Sequence, residues 1–462
     1  MKSERHWQTI GRRPVNKPSA SQTQTTPAQT ARHWAALRLA RVAESFPNVE
    51  PPDNDLTGLS QPDAALALAI YRTSIQRWFT AQCVVERFLS KQSRRLEPPM
   101  QAVLMSGAAQ LLFLDRLPAY AIVDETVELS RKLVRSNATG MVNAVLRQVD
   151  RLVKAGERIE QWTPSADTVP LPGGGALRFK EPVLPDAETL DKHLVAATSM
   201  PLRLVREWMQ RFGQAQTQSL CLQAIENPPI TVTVEPGFDF VAHKTLCQPH
   251  QQDGFVVWIG PAEEMPGFLD QHPARRVQDV ASTLAVASIR EHKPRAILDY
   301  CAGMGTKTRQ LALLHPDSRI DATDTHFGRR EALRAATAQL PNVRVIEPDQ
   351  AGAEQYDLVL LDVPCSNTGV LARRPEARYR FSQQVLGDLV KLQRQIVEQA
   401  SAWVKPGGLL LYSTCSIEPP ENRKQADRRL RHGGELLHDH LQMPSGTGDT
   451  YTDGSYHALM RL

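Results

Sequence analysis

Residues 296–308 read Ala296-Ile297-Leu298-Asp299-Tyr300-Cys301-Ala302-Gly303-Met304-Gly305-Thr306-Lys307-Thr308. A short apolar strand runs into a turn with two glycines, and helical spacing resumes over 307–314. Glycines at such a junction let the backbone come close to a ligand at a helix N-terminus. Alone, Gly-x-Gly is equally a plain tight turn. Working outward, 319–324, 343–346, 357–361 and 409–412 read as further strands, and 329–339 as a helix between two of them. This alternation from residue 285 onward predicts an α/β doubly wound, Rossmann-like sheet, whose ligands sit at the carboxyl ends of the strands.

The polar residues fall at those ends. Asp324 closes the second strand, where an acid can hold a ribose's hydroxyls, and Asp349 follows the third. Each alone is more often a turn residue or a cap; together they point to a nucleoside site. The fourth strand ends in Asp362-Val363-Pro364-Cys365-Ser366-Asn367-Thr368-Gly369, the fifth in Tyr412-Ser413-Thr414-Cys415-Ser416. A single buried cysteine is usually a small apolar filler. Two thiols at successive strand ends, with a carboxylate beside one, suit methylation of an unactivated pyrimidine carbon. A thiolate adding at carbon 6 of cytosine makes carbon 5 nucleophilic. A carboxyl group can hold the base, and a base must afterwards remove the carbon-5 proton. Lys307 and the arginines near 373 are candidate sources of the positive field that lowers a thiol pKa.

The rest of the chain sets the context. Residues 1–30 are rich in Ser, Thr, Gln and Pro and read as a disordered tail. Residues 31–155 show helical spacing, as at Leu66, Ala69 and Ile70, and predict an all-α bundle with breaks at Pro118 and Asn137. Residues 156–284 read as a linker and small α/β subdomain: loop-like over 156–194, then a helix from Leu202 to Ala224 and strands at 230–234 and 255–259. Residues 285–462 form the doubly wound domain. No apolar run approaches the roughly 20 residues of a membrane span. Without a signal-like start the chain is expected in the cytoplasm, without a membrane partner, as a monomer. The six cysteines include no Cys-x-x-Cys pair, so free thiols and no metal are expected. A net charge of +4 is too small to argue for nucleic acid by itself.

Several motifs together resemble the Nop/Sun family of RNA cytosine-5 methyltransferases. Residues 277–282 resemble its lead-in to the sheet, 299–308 its cofactor loop, 362–369 with Arg373-Arg374-Pro375-Glu376 its fourth motif, Thr414-Cys415-Ser416 with Pro420-Glu421-Asn422 its sixth, and 453–458 its closing strand. Residues 111–118, 123–128 and 142–147 resemble a NusB-like RNA-binding domain, a fusion that resembles the family's RsmB-type branch, which acts on 16S ribosomal RNA. The resemblance implies Cys415 as nucleophile, Cys365 as the thiol that helps release the methylated base, and Asp362 against the target cytosine and near the cofactor. It implies S-adenosylmethionine at Cys301, Ala302, Gly303, Met304, Gly305, Thr306, Lys307, Asp324, Asp349 and Asp362. Gly303, Met304 and Thr306 replace the family's usual alanine, proline and glycine, and Thr306 fits only if its φ is negative. Thr233-Val234-Glu235 replaces the family's Arg-x-Asn after the Pro-Pro pair.

On the RNA side, Arg373, Arg374, Arg378, Tyr379 and Arg380 follow the fourth strand. Such a run is usually a solvated face; beside a catalytic strand end it is expected to contact phosphate, with Tyr379 stacking on a base. Three functions fit these residues: methylation of ribosomal RNA, the same chemistry on transfer RNA, and a noncatalytic, antitermination-like RNA-binding protein.

Overall fold

A computed structural model of the chain describes residues 30–51, 55–90 and 96–462. The tail assigned to residues 1–30 lies, except for Thr30, outside the described residues. Six helices open the fold: α1 (Ala31–Ser45), α2 (Gln61–Gln76), α3 (Trp78–Glu86), α4 (Pro98–Phe113), α5 (Ala119–Leu133) and α6 (Thr139–Ala155). Helix α4 is buried along nearly its whole length and touches α1, α2, α3, α5 and α6. Gly107 permits the α4–α6 contact, since a Cβ there would stand 2.8 Å from Leu146. Helix α6 shows why the sequence folds this way: Val142, Val145, Leu146, Val149 and Leu152 recur at three- and four-residue spacing, and all are buried.

The stretch over 156–194 differs from its loop-like reading. It holds a three-stranded antiparallel sheet of β1 (Glu157–Ile159), β2 (Thr168–Pro170) and β3 (Ala176–Arg178), in the order β1-β3-β2, and then the start of α7 (Leu190–Thr198). Three-residue strands are too short to show alternation in a sequence. Helix α8 (Leu202–Gln223) is interrupted at Gly213, where φ is 79°. A second sheet joins β4 (Thr231–Thr233), β5 (Cys247–Pro249), β6 (Phe255–Trp258) and β7 (Arg276–Val277), with α9 (Met265–Asp270) beside it.

Helix α10 (Val280–Ala287) leads into the large sheet. Its elements are β8 (Ala296–Asp299), α11 (Thr306–Leu314), β9 (Arg319–Ala322), α12 (Phe327–Thr337), β10 (Val343–Val345), β11 (Tyr356–Asp362), α13 (Ala377–Arg380), α14 (Gln383–Ser401), β12 (Val404–Thr414), α15 (Arg423–Leu430), β13 (Glu435–Gln442) and β14 (Ser455–Arg461). The strand order is β10-β9-β8-β11-β12-β14-β13, with β14 antiparallel to both neighbours. The order reverses between β8 and β11, so the loops leaving these two strands flank the crevice where such sheets bind ligands.

Strand β11 is apolar on both faces because both are covered. Leu358 and Leu360 pack with Val286 and Leu311 of α10 and α11, while Val359 and Leu361 pack with Val397 and Ala400 of α14. The helical region is not a separate ball. Its core continues through α7 and α8 into Leu371, Tyr379, Phe381, Leu386 and Ile417 of the large-sheet region. No helix among the described residues is long and apolar enough to cross a membrane.

Candidate active site

Four loops meet at the carboxyl edge of the sheet. After β8, the Ala302 N–H donates to Thr323 O (3.0 Å) and the Gly305 N–H to Ala302 O (2.9 Å). Gly303 and Gly305 have φ of 58° and 91°, and a Cβ on Gly305 would reach 2.8 Å from Leu333. Glycine therefore avoids backbone strain at both, and at Gly305 a steric clash as well. Thr306 begins α11 and does not have positive φ, so its side chain is accommodated.

Asp324 lies two residues beyond β9 rather than at its end. It caps this loop from outside, accepting from the N–H groups of Gly303 (3.1 Å) and His326 (2.8 Å). Asp349 sits exposed in a single turn after β10. Met304 is 65% exposed at the loop's rim. Asp299 is fully buried; its Oδ2 accepts from Thr308 Oγ1 at 2.7 Å, and its Oδ1 has no hydrogen-bond partner. Burial, with the charges of Asp362 and Asp324, pushes the Asp299 carboxyl up to about 7. Burial, and then the carboxylates of Asp299, Asp324 and Asp362, holds the Cys301 thiol well above its ordinary pKa. Three carboxylates thus converge on one loop.

The two thiol-bearing loops leave β11 and β12, which run parallel with Asp362 opposite Ser413. Cys365 Sγ and Cys415 Sγ stand 3.3 Å apart. Asn367 bridges them: its Nδ2 donates to Cys365 O (3.0 Å) and its Oδ1 accepts from Cys415 Sγ (3.2 Å). It does so with φ at 61°, one of two non-glycine residues among those described with positive φ. Such a backbone costs energy and persists where its surroundings over-determine it. Asp362 Oδ2 accepts from Lys307 Nζ (2.8 Å) and its Oδ1 from Ser413 Oγ (2.8 Å). Burial works against the Lys307 charge, but Asp362 and then the charges of Cys415 and Asp299 outweigh it, and its pKa is raised. The hydrogen bond to Cys415, then burial, pushes the Cys365 thiol well above its ordinary value.

Glu421, whose motif was legible but whose task was not, ties both loops together from beneath. Its carboxylate accepts from Ser366 N (2.9 Å), Ser366 Oγ (2.5 Å), Ser416 Oγ (2.6 Å) and Gln393 Nε2 (3.0 Å). Asn422 adds bonds to Thr414 Oγ1 (2.6 Å) and Ser416 O (2.8 Å). Gly369 passes so close to the Cys415 carbonyl that a Cβ would lie 2.8 Å from it.

The structure divides the run expected at RNA. Arg374 is exposed and Arg380 half-buried. Arg378 is completely buried beneath backbone carbonyls, and Tyr379 is buried with its hydroxyl on Ile75 O at 2.6 Å. Arg373 is held by Asp279 (2.9 Å), Asp453 (2.6 Å) and Pro229 O (2.9 Å). These three are architectural residues rather than RNA contacts, because their side chains bond within the protein, with only Arg378 Nε of the Arg378 donors left without a partner. At the position where the family carries Arg-x-Asn, Glu235 forms a two-pronged ion pair with Arg275 (2.6 and 3.0 Å). Among the described residues no group of three or more His, Cys, Asp or Glu side chains is arranged to hold a metal ion.

A doubly wound sheet of this order, with its acids and thiols at the carboxyl edge and a NusB-like helical region in front, is similar to RNA methyltransferases of the RsmB/Sun type. Residues 286–460 match the model of the 16S rRNA methyltransferase RsmB/F family, and residues 29–151 that of the NusB family. The chain is 29% identical over 463 residues to the ribosomal RNA small subunit methyltransferase B of Xanthomonas campestris, covering 94% of this chain and 98% of that protein. It is also 29% identical over 449 residues to the protein of that name from Erwinia tasmaniensis, covering 92% and 97%. The crystal structure of PH0851 shares the fold, with a TM-score of 0.64 at 19% identity over 93% of this chain and 99% of that one.

Proposed function

We propose that this protein transfers a methyl group from S-adenosylmethionine to carbon 5 of a cytosine in 16S ribosomal RNA, through a covalent adduct with Cys415. The observation that carries this reading is the pair of thiols 3.3 Å apart beside the Lys307–Asp362 ion pair. Cys415 interacts electrostatically with Lys307, while the hydrogen bond to Cys415 and then burial push the Cys365 thiol up.

The β8 loop suits the cofactor. S-adenosylmethionine carries a sulfonium and an ammonium, and the pocket offers Asp299, Asp324 and Asp362, including an unpaired buried oxygen on Asp299. Cys301 to Lys307, Asp324 and Asp349 would hold it. When bound, it supplies an electrophilic methyl group.

The chain's own residues do the rest. Cys415 Sγ, as thiolate, forms a bond to carbon 6 of the cytosine and pushes the ring's electron pair toward carbon 5. Lys307 and Cys415 interact electrostatically, and a cation beside a thiol favours the nucleophilic thiolate. Asp362, oriented by Lys307 and Ser413, meets the ring nitrogen and exocyclic amine. After methyl transfer the carbon-5 proton passes to a solvent water, the C–H electron pair restores the double bond between carbons 5 and 6, and Cys415 leaves carbon 6 with the C–S pair, as thiolate. Cys365 stands where it can assist that departure. The base must leave any stack to reach these thiols. The working units of the proposal are residues 31–155 for RNA capture, 156–284 as a connecting region and 285–462 for chemistry.

The test is methyl transfer from labelled S-adenosylmethionine to 16S ribosomal RNA and to transfer RNA, with Cys415→Ala beside the parent. Methylation of ribosomal RNA by the parent alone supports the proposal. Methylation confined to transfer RNA would move the substrate, and two inactive proteins would leave an RNA-binding protein without catalysis.

A further inference from the structure

Arg378 is buried to 0% exposure, and it donates to four carbonyls from four segments: Ala224 O (2.7 Å), Thr198 O (3.0 Å), Gln76 O (3.3 Å) and Leu371 O (3.3 Å). The first three share a feature. Gln76 is the last residue of α2, Thr198 the last of α7, and Ala224 caps α8. Three helix C-termini, each the negative end of its dipole, therefore converge on one guanidinium. Among the described residues no side-chain carboxylate is hydrogen-bonded to it. Its planar fork can serve several acceptors at once, which a lysine ammonium at the same depth does not reproduce.

The neighbouring groups repeat the tie. Tyr379 donates to Ile75 O, and its ring lies 5.1 Å from Phe46 and 5.3 Å from Phe79, both in the helical region. A second strut comes from the other thiol loop. Buried Glu418, three residues after Cys415, accepts from Trp208 Nε1 of α8 at 2.9 Å and pairs with Arg211. The segment that leaves the Cys365 loop and the one that leaves Cys415 are thus both anchored on the helical and connecting regions.

We infer that Arg378 is a positioning residue: by joining the ends of α2, α7 and α8 to the segment that leaves the Cys365 loop, it sets the distance and angle between the helical region and the thiol pair. An RNA held at both places is then measured by a rigid spacing, and a substrate that touches only the thiol site does not feel it. This inference rests on the RNA methyltransferase reading for its substrate. It also adds a role that the arginine run alone did not suggest.

The experiment uses the full chain with Arg378→Met, which keeps length and removes the donors. Methylation is measured on a long 16S ribosomal RNA fragment and on a short hairpin carrying the same cytosine, with sinefungin binding followed by calorimetry. The expected result is a rise in KM of about tenfold or more for the long RNA, with kcat on both RNAs and the sinefungin affinity within about twofold of the parent. Equal losses on both RNAs, or an unchanged long-RNA KM, overturn the inference. Tyr379→Phe, which removes one 2.6 Å hydrogen bond at the same junction, should shift the long-RNA KM in the same direction by less, and keeps the test open should the first variant not fold. Hydrogen exchange on the same samples separates this inference from the function reading. Amides at the ends of α2, α7 and α8 should exchange faster in Arg378→Met while the large sheet does not, even if the parent methylates neither RNA. Unchanged exchange at all three ends overturns the coupling.

Discussion

Cys365 Sγ and Cys415 Sγ face each other at 3.3 Å across two parallel strands, with the Asn367 side chain spanning the pair. The hydrogen bond between them and then burial push the Cys365 thiol up, and Cys415 interacts electrostatically with Lys307. This difference leads to the first prediction. Cys365→Ala should still attack and methylate but release slowly, so a covalent protein–RNA adduct should accumulate on a denaturing gel. Cys415→Ala should give no adduct. A Cys365→Ala protein that turns over freely without adduct removes the release role from that thiol.

Asn367 supplies two hydrogen bonds from a strained backbone. Asn367→Gly relieves the strain and deletes both bonds; Asn367→Ala deletes the bonds and keeps the strain. The alanine variant should be less stable than the glycine variant by about 1 kcal/mol, read by thermal or urea unfolding. Both should lose kcat together, because both release the Cys415 thiol. Full activity in the glycine variant would show that the bridge does not orient the nucleophile.

The Asp299 carboxyl, raised by burial to about 7 from 3.8, binds its proton more tightly in the fold than in the unfolded chain. Its contribution is complete below about pH 4 and is lost as pH rises to about 7, up to about 4 kcal/mol. Asp299→Asn should therefore lose less stability than the parent between pH 5 and 8, as measured by urea midpoints at each pH. Parallel curves for the two proteins would refute the assignment.

His457 acts with the opposite sign. Burial, with His438 and His440 beside it, lowers its pKa to about 4, and neither ring nitrogen has a partner. The unfolded chain takes up a proton near pH 6.5 that the fold refuses. Stability is complete above that pH and falls by up to about 3 kcal/mol as pH drops toward 4. His457→Leu should flatten this acid limb. An unaltered acid limb in the variant counts against it.

Of the basic run, Arg374 is exposed and Arg373 and Arg380 are half-buried, with Arg373 held in ion pairs by Asp279 and Asp453. If Arg374 and Arg380 neutralise phosphates, Arg374→Ala with Arg380→Ala should weaken RNA binding and reduce its dependence on salt by up to about two counterions. A salt slope equal to that of the parent would place the RNA elsewhere.

Much of this protein was legible in its sequence. The strand–helix alternation from residue 285, the glycine turn at 303–305 and the two thiols at successive strand ends are local patterns, set by side-chain periodicity and backbone conformation within a dozen or so residues. They carry the doubly wound sheet and place Asp362, Cys365 and Cys415 on one edge. Only the tertiary structure decided which residues of that edge face solvent. Arg374 and Arg378 are four positions apart in one basic run, yet one is exposed and the other is buried against carbonyls 154, 180 and 302 residues away in the chain. The one-turn helix α13 carries no periodicity that could have separated them. The same holds for Glu421, whose partners Ser366 and Gln393 come from other segments. Local pattern determines which elements form and in what order. Burial and hydrogen-bond partners depend on segments distant in the chain, and here they turned three expected RNA contacts into the joints that hold the site in place.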